Sequence, residues 1–412
     1  MYQTTLASNI SLAELFLKLD ERETSVAFSN GLADRWQSIL AFNPIDSIVI
    51  DSTSSTQAFI DFTNKHKQNL VFGFISYELG NQKYQITKET DQKKTRLRFY
   101  AYDSYMHELD GEVQCFSVSE QFEKQVLEIS KRALKQKIVP KLKLNNTISH
   151  SEYKTNFEKI HDYIRAGDIY QINYTHIMSG QTDQDSRSLF AYYLENKPVS
   201  YAAYFETETM EVISLSPECF FHEQDRKITT LPIKGTTPRA ESSHQDRLNR
   251  DQLINSSKEQ AELFMIVDLL RNDMGKVCKT NTVKVTDEKV VTGLPNVWHT
   301  YATIEGILAD DLEPAEAIIS MFPGGSITGC PKKRAMEIIA EIENGSRGIY
   351  TGSIGYFLPR QESCFNIAIR TLVKENNKFY LGVGGGITIK SQLDDEYQET
   401  LAKAAFFDLE LD

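Results

Sequence analysis

A chain of 412 residues with 41% hydrophobic content can bury a large core, and its length permits two or three domains. Its 45 Lys and Arg against 57 Asp and Glu leave a net charge of −12, which argues against nucleic acid or an anionic membrane as a partner. Any anionic ligand must then be held by a local cluster of cations or by a metal.

The first residues, MYQTTLASNISLAELFLKLDERE, have no basic region followed by an apolar core. No stretch approaches the roughly 20 apolar residues of a membrane span, so a cytoplasmic protein is expected. Residues 1–145 read as an N-terminal α/β region packing on the core, with DSIVIDST (46–53) and NLVFGFISYELG (69–80) as its best strands. A basic helix over 121–138 leads into VPKLKLNNTISHSEY, where Pro140 and the paired asparagines mark a boundary. From there to residue 412, helices alternate with strands and the motifs concentrate. The five cysteines (Cys115, Cys219, Cys278, Cys330, Cys364) are scattered without a CxxC pair, so neither zinc nor a disulfide framework is expected.

In SPECFF (216–221) a carboxylate enters an apolar run. Flanked by Pro217, Cys219 and Phe220, Glu218 should have a raised pKa, which suits a general acid. Further along, LPIKGTTPR (231–239) places Lys234 between strand-like apolar residues and a glycine turn that lets backbone approach a ligand. Partial desolvation would make that lysine a nucleophile or base. Two strands joined by a polar turn at 222–226 would fold back as a hairpin and bring Glu218 and Lys234 toward one cleft. The same residues also fit a plain buried ion pair, and Lys234 alone fits a strand-end lysine snorkelling to water.

A helix is predicted from Ser256 or Ser257 to Asp273, with Ser256 and Glu259 in capping-box spacing, an apolar stripe of Leu263, Ile266 and Leu270, and Gly275 as its stop. A second begins near Pro331 and ends before Asn344 and Gly345. A third covers 395–408, with Ala402 and Phe406 facing inward. Glu259 and Glu262 share one helix face by their spacing, as do Glu396 and Glu399. Either pair alone reads as a solvated face. Facing each other, four carboxylates would repel unless a hard divalent cation lay between them, and magnesium suits that arrangement.

SPECFF followed by PIKGT resembles the chorismate-utilising enzymes: anthranilate synthase large subunits, isochorismate and salicylate synthases, and aminodeoxychorismate synthase component I. The resemblance extends over about 152–407. It implies an α+β fold of two stacked, mainly antiparallel β-sheets flanked by helices, with 146–412 as the catalytic region. It further implies Mg2+ held directly by Glu262 and Glu399, and through water by Glu259 and Glu396. Chorismate's ring carboxylate would meet that metal, the backbone of Gly235 and Thr236, and Lys403, which also fits an intrahelical partner of Glu399. Its enolpyruvyl carboxylate would meet Arg370 of IAIRT, Tyr350, and the amides of Gly385 and Gly386 in VGGGI. His299 and Ser326 match positions lining the substrate's ring and hydroxyl.

Within the family, lysine in PIKGT resembles the branch that aminates chorismate para to the ring carboxylate. Gln171 in GDIYQINYT stands where the water-adding members carry a lysine, and Ala202 in KPVSYAAYF where tryptophan-regulated anthranilate synthases carry methionine. The mechanism implied is attack by Lys234 on the ring with Glu218 as proton donor, then displacement by ammonia. No cysteine lies in a GxCxG context, so a separate glutamine amidotransferase subunit is expected to supply the ammonia. With no C-terminal extension read as hosting a lyase step, pyruvate elimination is expected of another protein. The alternatives are anthranilate synthesis on the same scaffold and a non-catalytic chorismate-binding regulator.

Overall fold

The computed structural model describes residues 2–6, 10–29, 35–88, 90, 94–135, 138–293, 297–359 and 362–410. Period-two alternation builds its two sheets. In the strand Leu70–Ile75, Leu70, Phe72 and Phe74 point into the space between the sheets, while Val71 and Ile75 point toward a layer of helices. In Tyr201–Glu206, of the facing sheet, Tyr201, Ala203 and Phe205 point inward while Ala202 and Tyr204 point to helices on the other side. Phe205 is the meeting point, 5.1 Å from the Tyr100 ring and 5.5 Å from that of Phe74. The expected α+β sandwich with flanking helices is what forms.

Among the described residues the sheets hold thirteen and ten strands. All pairings are antiparallel except that of Leu409–Glu410 with Leu142–Asn146. Residues before 146 do more than pack on the rest: Ser25–Phe28 pairs with Tyr201–Glu206 in the larger sheet, and Leu70–Ile75 with Ser353–Leu358 in the smaller. The segment read as a boundary around Pro140 supplies the strand Leu142–Asn146 of the larger sheet.

Other expectations shift by a few residues. The chain of NLVFGFISYELG leaves the sheet after Ile75 and enters the helix Glu78–Tyr84. The helix expected to be basic spans only Glu120–Ser130, a stretch with three Glu and one Lys, and is capped at Lys131. Arg132 beyond it pairs with Glu21 at 3.1 Å and donates to the Lys18 carbonyl at 3.3 Å; residues 136 and 137 lie outside the described set. The hairpin after Glu218 turns at Asp225 and Arg226, both at positive φ, so His222 and Glu223 lie inside the strand Cys219–Gln224 and are buried. The helix Ser257–Met274 has Ser256 as its cap, accepting from Glu259 N at 3.3 Å, and buries Leu263, Ile266 and Leu270 as expected. Lys332–Ile342 follows Pro331. The helix Leu393–Ala405 ends earlier than expected; Ala404 is its buried alanine, while the exposed Ala402 lies on the lining of a cavity, as does Phe406. Among the described residues no helix is long and apolar enough to cross a membrane.

Candidate active site

Pro232 divides one flank of the strand Val297–Ile307 between two short partners, Lys227–Leu231 and Ile233–Pro238. Just past this break the register slips between Lys234 and Thr236, and the extra residue is Gly235 at φ 75°. A Cβ on Gly235 would lie 2.8 Å from Thr300 Oγ1 and 2.9 Å from Glu259 Oε2, so this bulge has room only for glycine. Thr300, opposite Lys234 in the ladder, donates its hydroxyl to the Lys234 carbonyl. The lysine backbone is thereby fixed while its side chain, half-buried as expected, enters a cavity.

Glu218 is set on the lining of the same cavity by Ser216, whose Oγ accepts from Glu218 N at 3.2 Å and donates to the Ile367 carbonyl at 2.6 Å. Ile367 N in turn donates to Glu218 O at 3.0 Å. Burial pushes the Glu218 pKa up to about 7, against the opposing pull of a Ser326 hydrogen bond and the Lys234 charge. The raised acid read from SPECFF is therefore present, poised to donate a proton near neutrality.

The cavity, about 700 Å³, lies where the two sheets meet two helices. Lys234, Glu218, Gly235, Thr236, Ser326, Tyr350, Arg370, Gly385, Gly386 and Lys403 all line it, as do Glu259 and Glu262 from Ser257–Met274 and Glu396 and Glu399 from Leu393–Ala405. His299 is not on the lining; it is buried in the ladder opposite Thr236, where burial and the nearby Arg370 charge lower its pKa to about 4. At neutral pH it is uncharged and sits behind the lining.

The glycine strand Lys378–Thr388 lets both groups of charges close on one backbone. A Cβ on Gly385 would lie 3.3 Å from Glu396 Oε2 and 3.7 Å from Glu399 Oε1, and one on Gly386 3.4 Å from Lys234 Nζ. Lys403 pairs with Glu399 at 2.6 Å and donates to the Gly384 carbonyl at 2.7 Å, so its intrahelical role is realised alongside its place on the cavity wall. Among the described residues no three His, Cys, Asp or Glu side chains converge as a metal cluster. The donor set, all oxygen and drawn from two helices, is nonetheless of the kind magnesium uses, since that ion takes one or two carboxylates and keeps several waters.

Arg370 is held differently. Its backbone is in the left-handed region at φ 48°, a strained conformation for a non-glycine residue. Burial lowers its pKa, and among the described residues its guanidinium has no hydrogen bond or ion pair; it lies 4.7 Å from the centroid of the Phe406 ring. Such a desolvated cation is a ready receptor for a carboxylate.

Sequence reasoning passed over Asn173 and underrated Phe406, both on the lining. Asn173 had a signal: it lies two residues from Gln171, hence on the same face of the strand Gln171–Gln181. Gln171 itself is buried with its Nε2 against Gly386, 2.6 Å from where a Cβ would be.

A carboxyl of raised pKa and an amine share one cavity with further cations and carboxylates, a set of groups suited to holding a small anion. The profile of the chorismate binding enzymes matches residues 25–408, and the chain belongs to that family. It is 38% identical over 258 residues to aminodeoxychorismate synthase component 1 of Escherichia coli K12, a match covering 63% of this chain and 57% of that protein. It is 36% identical over 265 residues to anthranilate synthase component 1 of Cereibacter sphaeroides, covering 63% and 52%. The chain thus spans little more than half the length of these curated relatives. The crystal structure of anthranilate synthase component I from Streptococcus pneumoniae TIGR4 superposes with a TM-score of 0.79 at 25% identity, over 92% of this chain and 93% of that one.

Proposed function

We propose that this chain converts chorismate and ammonia to 4-amino-4-deoxychorismate, the precursor of 4-aminobenzoate and folate. The observation that carries this reading is the half-buried Lys234 sharing a cavity of ligand size with Glu218, whose pKa lies near 7 and which feels the lysine's charge. Lys234 Nζ forms a C–N bond to the ring as the C–O bond para to the ring carboxylate breaks, and Glu218 gives its proton to the departing hydroxyl, which leaves as water. Ammonia then forms a C–N bond at the para carbon and the lysine departs with its electron pair.

Arg370, Tyr350 and the amides of Gly385 and Gly386 would receive the enolpyruvyl carboxylate; the ring carboxylate would lie toward Gly235, Thr236 and Lys403. A magnesium ion bound by Glu262 and Glu399, with Glu259 and Glu396 reaching it through water, would neutralise the ring carboxylate and polarise the ring toward loss of the hydroxyl. Ammonia would come from a glutamine amidotransferase partner: Cys115 and Cys278 are buried with pKa values near 12 and 11, the opposite of an activated nucleophile.

Anthranilate formation is the second reading, favoured by the near-equal identity to the two kinds of relative. The test is product identification by mass spectrometry and chromatography after incubation with chorismate, magnesium and ammonium. Aminodeoxychorismate is the expected product; anthranilate or unchanged chorismate would overturn the reading.

A further inference from the structure

Phe406 has an unusual position. It caps the helix Leu393–Ala405, and its ring is shared by two cations: the Arg370 guanidinium 4.7 Å from the centroid and Lys197 Nζ at 5.3 Å. Neither cation is an obvious neighbour in sequence. Arg370 reaches the ring from inside the cavity, which Phe406 itself lines. Lys197 comes from the end of another helix, Ser186–Asn196, where it is the capping residue.

The turn that carries the ring is held by several hydrogen bonds. Lys197 Nζ donates to the Phe406 carbonyl and to Asp408 Oδ1, the latter at 2.6 Å. Tyr193 Oη donates to the Phe407 carbonyl at 2.8 Å, and Phe407 is fully buried. Asp408, at φ 53°, ends the turn. Carbonyls that the helix leaves unsatisfied are thus taken up by a lysine and a tyrosine, and the turn cannot drift without losing them.

Arg370 needs such support. An arginine side chain has large rotamer freedom, and this one is desolvated without a hydrogen-bonded anion among the described residues. The negative face of an aromatic ring offsets part of that desolvation and restricts the guanidinium to one region of space. We propose that Phe406 is a positioning residue, whose ring, anchored by Lys197, keeps Arg370 oriented to receive the second carboxylate of a small dicarboxylate substrate. The inference rests on the reading that this cavity takes chorismate.

The experiment compares wild type, Phe406→Leu, Phe406→Tyr and Lys197→Met by steady-state kinetics with chorismate, magnesium and ammonium, alongside thermal melting. Phe406→Leu keeps bulk but loses the π face, and should raise KM for chorismate roughly 2- to 30-fold, the span of a cation–π contact from exposed to desolvated, with a smaller change in kcat. Phe406→Tyr, which keeps the face, should restore KM, and Lys197→Met should give a smaller rise. A side chain that merely filled space would not separate leucine from tyrosine in this way. Should Phe406→Leu melt well below wild type, the tyrosine and Lys197 variants decide: near-normal KM in the first with raised KM in the second supports the inference, and any other pattern overturns it. An unchanged KM in a stable Phe406→Leu, or equal impairment of leucine and tyrosine variants, would also overturn it. Failure of the wild type to consume chorismate would instead bring down the functional reading on which the inference stands.

Discussion

At the Arg370 end of the cavity a single cation waits on strained backbone, supported by an aromatic ring and by no carboxylate among the described residues. At the other end four carboxylates from two helices line the wall, and Lys403 is already paired with Glu399. The first end is complete as an anion receptor. The second carries a group of carboxylates and, on the proposed function, would become one when a divalent cation is added. One substrate with two carboxylates would therefore meet two kinds of recognition, one preorganised and one dependent on metal.

Replacing Lys234 and Glu218, the two groups proposed to do the chemistry, should have the largest effect. Lys234→Ala should lower ammonium-dependent turnover by about 10³-fold or more, and Glu218→Gln by roughly 10²- to 10⁴-fold, the range for loss of a positioned acid. Incubation of the wild type with chorismate and magnesium, without ammonia, should give a mass adduct on the peptide containing Lys234, absent from Lys234→Ala and from Lys234→Arg. Turnover without any adduct under rapid quenching would recast Lys234 as an electrostatic or basic residue.

The metal-dependent end comes next. Glu262→Ala and Glu399→Ala should each raise the magnesium concentration needed for half-maximal rate by more than about 100-fold, and Glu259→Ala and Glu396→Ala by about 10- to 100-fold, as for groups that act through an outer shell. Full activity of these variants in a chelator would erase the contrast between the two ends. At the preorganised end, Arg370→Ala should weaken chorismate binding by about 2–5 kcal/mol, read as KM, without moving the magnesium requirement. A shift in both together would mean that the ends are not separate.

The smallest effect is on pH. With a folded pKa of about 7 for Glu218, its proton-donating form is lost as pH rises through 7, so kcat should fall there and the limb should disappear in Glu218→Gln. Stability should follow the same sign. The ordinary carboxyl value is 4.5, so between 4.5 and 7 the folded state holds the proton that the unfolded state has released, and stability declines with rising pH across that window. A melting temperature equally pH-dependent in Glu218→Gln would assign the effect elsewhere.

Much of this was legible in the sequence because the informative strings are local. The cap and stripe of Ser257–Met274 and the acid flanked by Pro217, Cys219 and Phe220 depend on neighbours along the chain, and both emerged as read. The facing acidic pairs needed the fold to bring two helices to one cavity, and the resemblance supplied that step. The failures share the opposite cause. Arg132, just past the end of its helix, pairs with Glu21, more than a hundred residues away, and Leu142–Asn146 is a strand only because partners at 179–181 and 409–410 exist to pair with it. Phe406 could be read as facing inward, but its two cations come from distant segments that no periodicity connects.

The glycine strand Lys378–Thr388 has one further consequence. With no side chains at Gly384, Gly385 and Gly386, it gives the cavity a floor made of peptide, unable to favour one nucleophile or one ring position over another. Chemical choice is left to the residues around it: Lys234 and Glu218 on the lining, and Gln171, whose Nε2 lies against Gly386. A scaffold so divided can diverge in the reaction it performs by exchanging a few wall residues while its grip on the shared substrate stays the same.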